Sequence, residues 1–255
     1  WIDADVQGPP LPPGRISPEL RGRSAILGGG DIVAVPVPAD EQVDEANITL
    51  ALDPSGTAKG KVTLTLRGGQ AQALAEAFFY VVGDDRTQML RSVVQSFLPW
   101  ASIDEVKLAS KEGAWEIVLD ANVTVPGLST PDTRDGKTFV LPGIEPAKSA
   151  TLTQRYAGRL ERQSALTIDA PLQYRITRKI ELPAGMSVAQ PAKAVKVDRK
   201  DVRASRTVEV KGQTLEERFE LSLPTGTVEQ QAYRSFLDDL QAIDAGFYAA
   251  TRIKK

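Results

Sequence analysis

Residues 48–67 read Ile48-Thr49-Leu50-Ala51-Leu52-Asp53-Pro54-Ser55-Gly56-Thr57-Ala58-Lys59-Gly60-Lys61-Val62-Thr63-Leu64-Thr65-Leu66-Arg67. Ile48, Leu50 and Leu52 alternate with Thr49, Ala51 and Asp53. On the return, Val62, Leu64 and Leu66 alternate with Lys61, Thr63, Thr65 and Arg67. A period of two puts one set on a buried face and the other in water, which is the signature of a half-buried strand. The link between the runs has turn chemistry. Asp53-Pro54-Ser55-Gly56 is an Asp-Pro-x-Gly turn, flanked on both sides by the alternating runs. Residues 47–53 and 60–67 therefore form a β-hairpin, and the class of the fold is mainly β.

Outward from the hairpin the same alternation recurs. Strands are predicted at 103–108, 114–125, 172–182, 195–197, 205–211 and 214–223, with a turn at 111–113. Gly28-Gly29-Gly30-Asp31 separates two apolar runs and reads as a hairpin turn. It lacks the spacing of a phosphate loop. Helical spacing appears three times. Leu74, Ala77, Phe78 and Val81 mark a helix over 71–81. Met89, Val93, Val94 and Phe97 mark one over 85–98, with Asp84 or Asp85 as cap and Pro99 as stop. Tyr233, Phe236, Leu237 and Leu240 mark one over 228–245, with Gly246 at its end. Residues 126–137 read as loop. Residues 142–164 carry Arg155, Arg159 and Arg162 but few large apolar residues, and suggest no element. Strands grouped together, not alternating singly with helices, argue for antiparallel sheets. The expected architecture is β-sandwich-like antiparallel sheets with two central helices and one C-terminal helix. Residues 1–23 form a connector, 24–145 a β-rich domain with a helical insertion, and 146–255 a second β-rich segment, the last two being open to reading as one continuous domain.

Composition limits the chemistry. The chain of 255 residues has no Cys and no His, and a net charge of −2 from 31 basic and 33 acidic residues. Without a thiol or imidazole no Ser-His-Asp or Cys-His-Asp triad can be assembled, and no Cys or His metal site. A near-neutral balance draws the chain toward neither nucleic acid nor an anionic membrane surface. No run of apolar residues is long enough for a membrane-spanning helix. The basic residues Arg175, Arg178, Lys179, Lys193, Lys196, Arg199, Lys200, Arg203 and Arg206 are interspersed with Glu181, Asp198, Asp201 and Glu209. Such mixed charge reads as a solvated strand face. Asp84-Asp85, Asp104-Glu105, Asp132, Asp135 and Asp238-Asp239 have no EF-hand spacing and read as caps, turns and solvated faces. The same reading covers Asn47-Ile48-Thr49 and Asn122-Val123-Thr124, acceptor sequons lying in predicted strands. No cofactor and no metal is expected.

The order of several short motifs resembles the downstream part of large bacterial transglutaminase-like proteins, which are typically exported. Trp1-Ile2-Asp3 is similar to the strand that ends that family's papain-like core. Leu11-Pro12-Pro13-Gly14 is similar to its connector, and Gly22-Arg23-Ser24-Ala25-Ile26-Leu27 to the strand that follows. Leu52-Asp53-Pro54-Ser55-Gly56 matches a hairpin, and Tyr233-Arg234-Ser235-Phe236 a C-terminal helix. On the resemblance, Asp3 is the counterpart of the triad Asp, inactive here without Cys and His, and the chain opens as a fragment downstream of the core. The resemblance implies a non-catalytic accessory or interaction module, periplasmic or extracellular. Its partners would be the upstream transglutaminase-like domain and a protein or peptide substrate, with no nucleic acid and no membrane insertion. A purely structural spacer and a carboxylate-based hydrolase are the alternatives.

Overall fold

A computed structural model describes residues 24–26, 28–35, 43–109, 116–132, 138–145 and 150–255. The predicted 111–113 turn, the 1–23 connector, Asp3 and Asp135 lie outside the described residues. The first half of the chain holds β1 (Ser24–Ile26), β2 (Ile32–Ala34), β3 (Asp44–Leu52), β4 (Ala58–Arg67), α1 (Gly68–Tyr80), α2 (Gly83–Gln95), β5 (Ser102–Leu108) and β6 (Glu116–Val125). Then come β7 (Thr130–Pro131), β8 (Thr138–Leu141), α3 (Leu152–Tyr156), β9 (Leu166–Ile168), β10 (Leu172–Glu181), β11 (Ser187–Gln190) and β12 (Val195–Asp198). The chain ends with β13 (Arg203–Lys211), β14 (Thr214–Leu223), β15 (Gly226–Val228), α4 (Tyr233–Tyr248) and β16 (Thr251–Lys254).

The fold is mainly β, with antiparallel pairing predominant and a helix near the C-terminus, as the alternation predicted. Its centre is an eight-stranded sheet in the order β12-β13-β14-β10-β3-β4-β6-β5. Two antiparallel halves, one from residues 44–125 and one from 172–223, meet at the parallel pair β3–β10, where Arg175 stands opposite Glu45 and Ile180 opposite Leu50. The segments 24–145 and 146–255 thus both contribute strands to this sheet, and buried side chains of both belong to one cluster. A four-stranded sheet, β11-β16-β8-β7, stands beside it.

The large sheet is two-faced. Its inner face carries Ile48, Leu50, Val62, Leu64, Ile117, Leu119, Ile176, Ile180, Phe219 and Leu221, all buried. Helix α4 packs on β12 and β13, α2 on β5, and α1 on β4. Tyr233, Phe236, Leu237, Leu240, Ile243 and Phe247 form the buried stripe of α4, at the spacing that a helix needs to present one face. Phe236 and Leu240 are buried, as their period required.

Several boundaries differ from the sequence reading, each for a physical reason. Helix α4 begins at Tyr233, because the stretch from 226 first makes β15 and a 3-10 turn, Gln230–Ala232. Gly246 does not end that helix. It lies within α4, and an added Cβ would come 1.9 Å from a Val195 methyl, so the glycine lets β12 approach closely. Helix α2 starts at Gly83, so Asp84 and Asp85 fall in its first turn beside the positive end of the helix dipole instead of capping it. In the unassigned 142–164 stretch, α3 owes its form to its caps. Thr151 and Gln154 make a reciprocal capping box. From α4, the buried Asp244 carboxylate accepts from the Leu152 and Thr153 amides at 2.7 and 2.9 Å.

Candidate functional site

The inner face contains three charged residues, two of which, Arg178 and Arg206, the sequence reading places on a solvated strand face. Arg178 and Arg206 are fully buried, against the expectation of a solvated basic face, and so is Glu217. They occupy inward positions of β10, β13 and β14, in line with Ile176 and Ile180 on one strand and Phe219 and Leu221 on another. Glu217 accepts from both guanidiniums, at 2.5 Å from Arg206. Arg206 also donates to the carbonyls of Gly246 and Ala249, each at 2.7 Å, at the C-terminus of α4. Arg178 donates to the carbonyls of Pro142 and Gly143. Burial pushes the Glu217 carboxyl up, but the two guanidiniums beside it outweigh burial and hold it below the usual carboxylate range. Two cations and one anion leave one excess positive charge. The aligned carbonyls at the negative end of α4 lie where that charge needs them.

A small cleft opens above this network. It is lined by residues 96–100, Val125, Leu128, 142–145, Ile176, Arg178 and Tyr248, and has a volume of about 70 Å³. Local structure sets its walls. After α2 the chain turns, and the Ala101 amide donates to the Leu98 carbonyl at 3.1 Å. Pro99 stands at the second turn position, where its fixed φ belongs. The turn projects Trp100 outward, and this large side chain is 59% exposed. Opposite, the Ile144 amide donates to the Phe247 carbonyl at 3.0 Å. Gly143 lies so close that an added Cβ would come 1.9 Å from the same carbonyl oxygen. This seam brings Glu145 to Tyr248. The Tyr248 phenol is pushed up by its partial burial and by the carboxylates of Glu145 and Asp244. Glu145 itself makes no hydrogen bond or ion pair among the described residues.

The acids expected to be structural stand apart from this cleft. Asp132 is buried and paired with Arg252. Asp104 and Glu105, on the edge strand β5, accept from Thr124 and Asn122. Asp238 and Asp239 pair with Arg234 and Arg199. Asn47 and Asn122 are exposed on the outer face of the large sheet. That face also has a broad basin of about 420 Å³, lined by Arg175, Lys196, Asp198, Arg203 and Glu220 among others. Among the described residues no group of acids is placed to hold a metal. No helix there is long and apolar enough to cross a membrane.

Trp100, Glu145, Tyr248 and the buried ion network were not singled out by sequence reading. A signal existed for two of these. Leu98-Pro99-Trp100 is a turn sequence placing a large aromatic at its tip, and Arg178 and Glu217 share the parity of their apolar neighbours.

Residues 138–247 match the family model DUF3858, a domain of unknown function with a solved structure. The match runs from β8 through nearly all of α4. It takes in the 172–223 half of the sheet, the buried network and the Glu145 wall of the cleft, but not Trp100. Among solved structures, the chain is similar to a crystal structure described as a "putative protease" from Parabacteroides distasonis, with 14% identity and a TM-score of 0.38. The likeness covers 46% of this chain and spans only 23% of that structure's length, and carries no argument about activity. No curated protein matches the chain.

Proposed function

We propose that the chain is a non-catalytic interaction module of a larger, exported transglutaminase-like protein, and that the Trp100 cleft is where it meets a protein or peptide. The observation that carries this reading is Trp100 itself, 59% exposed at the mouth of a concave, largely apolar site. Sites for binding combine such a concavity with a few convergent polar groups, and exposed aromatics are the residues that most often anchor partners. The transglutaminase-like parent and its export rest on the order of the short motifs. The hydrolase alternative draws no support from the cleft, which offers one carboxylate, Glu145, where glycosidase chemistry needs a facing pair. The spacer alternative finds some support in the outer face of the sheet, which is mostly polar.

The test is Trp100→Ser in the parent protein. For a binding module, KM for a protein substrate rises several-fold while kcat is unchanged. Unchanged KM in a folded variant leaves the spacer reading in its place. The chain alone, lacking thiol and imidazole, should show no transglutaminase, peptidase or amidase turnover.

A further inference from the structure

We infer that the cleft receives one cationic side chain, arginine or lysine, from an extended peptide; this rests on the reading of the cleft as a binding site. Size is the first argument. A volume of about 70 Å³ holds roughly five waters on the scale where one water needs about 10–15 Å³. That is room for a single long side chain. It is far below the roughly 300–1,000 Å³ of a site for a whole cofactor or metabolite.

Charge is the second argument. Two formally charged side chains line the cleft, Glu145 and Arg178. Arg178 is committed, since its guanidinium donates to Glu217, Pro142 and Gly143. Glu145 is partly buried and makes no hydrogen bond or ion pair among the described residues. A partly buried carboxylate with no counter-ion among the described residues is left to solvent alone, and a ligand cation would pair with it. An anionic guest would instead meet the Glu145 carboxylate and find four of the five Arg178 N–H donors already engaged.

The walls supply the third argument. Phe97, Trp100 and Tyr248 line the same small space as Glu145. Aromatic faces attract cations, and the methylene stem of Lys or Arg suits the apolar remainder, Leu98, Pro99 and Leu128. A neutral apolar guest would gain the stem contacts but bring no charge to Glu145.

The experiment titrates the full chain with acetyl-Ala-Arg-Ala-amide, acetyl-Ala-Lys-Ala-amide and the neutral acetyl-Ala-norleucine-Ala-amide. The readout is the Trp100 indole N–H resonance, assigned by its loss in Trp100→Phe. The cationic peptides should shift it at concentrations about tenfold lower than the norleucine peptide. Glu145→Gln should abolish that preference, while Tyr248→Phe, which keeps the ring, should retain it. Equal midpoints for charged and neutral peptides overturn the cationic guest yet leave the cleft as a binding site. No shift with any peptide overturns both. Should Glu145→Gln fail to fold, salt decides. A preference that fades in 1 M NaCl supports the charge pairing, and one that persists unchanged overturns it.

Discussion

The two faces of the large sheet carry the same residue types to opposite ends. On the outer face a chain of ion pairs crosses five strands. Glu116 pairs with Arg67 at 2.8 Å and Arg67 with Glu45 at 3.2 Å; Arg175 then pairs with Glu45 and Glu220, each at 3.1 Å. These side chains are partly or largely exposed. On the inner face Arg178, Glu217 and Arg206 make a triad with almost no exposure. The chemistry is one Arg–Glu pairing used twice, and solvent makes the difference. Water screens the outer ladder, so each pair contributes little and the ladder mainly fits the register of β3 beside β10. The inner triad has no water to fall back on. Its members are mutually necessary, because each is the solvation of the others. It also ties β10, β13 and β14 to the end of α4 and to the Gly143 seam, so the wall of the cleft depends on it.

The largest effect should come from breaking the inner triad. Glu217→Gln leaves two buried guanidiniums facing each other, and should destabilise the fold by about 3–5 kcal/mol. That is a large part of the roughly 5–15 kcal/mol that holds a domain together. Urea unfolding followed by circular dichroism measures it. The carboxyl is held below its usual range, so its contribution is present above the unfolded-state pKa. It is lost as pH falls through the lower folded value, and the gap between Glu217→Gln and the native chain should close on the acid side. A triple replacement, Arg178→Met, Glu217→Leu and Arg206→Met, sharpens the point. Buried ion networks can often be replaced by apolar residues without loss. Here the carbonyls of Pro142, Gly246 and Ala249 would lose their donors, so stability should recover only in part. Full recovery would show that capping α4 is not what Arg206 contributes.

The same contrast explains what could be read before the fold was seen. Alternation in 48–67 was enough for the hairpin, and the stripe of α4 was enough for its buried face, because both depend on local period alone. Parity alone would also have sent Arg178 and Glu217 inward. Composition pulled the other way, since an isolated Arg or Glu belongs in water. Which of the two wins depends on partners far along the chain: Glu217 comes 39 residues after Arg178, and the Gly246 carbonyl 40 after Arg206. The parallel seam between β3 and β10 was illegible for the same reason, its strands lying over a hundred residues apart. The cleft is harder still. Trp100, Glu145 and Tyr248 come from a turn, an extended link and a helix end, and nothing in the local sequence of any one announces the others.

The outer ladder should respond far less. Arg175 bridges Glu45 and Glu220 across the seam and across to β14. Its side chain is about half exposed, so Arg175→Ala should cost less than about 1 kcal/mol. The cost should shrink further in 1 M NaCl, where the screening length falls to about 3 Å. A loss approaching that of Glu217→Gln would mean that the ladder, not the apolar inner face, holds the parallel seam.

The smallest effect belongs to the hairpin turn, where an acid is fully exposed yet still organised. The Asp53 carboxylate accepts from the Ser55 hydroxyl at 2.5 Å and from the amides of Ser55 and Thr57 at 2.8 and 3.1 Å. The Ser55 hydroxyl does most to hold the carboxyl below its usual range, and the backbone amides add to it. Gly56 completes the turn at φ 92°, with its carbonyl accepting from the Ser129 amide at 3.0 Å, so the turn is pinned from two sides. A lowered folded pKa means that the carboxylate stabilises the turn above the unfolded-state value of about 3.9. That stabilisation is lost as pH falls through the folded value. Asp53→Ala should therefore lower the melting temperature slightly at pH 7, and the difference from the native chain should fade below about pH 4. Melting curves of both proteins at pH 7 and at pH 3 check it. A difference that stays constant with pH would assign the loss to the shape of the turn and not to its charge, and would set Asp53 apart from Glu217, whose contribution must titrate.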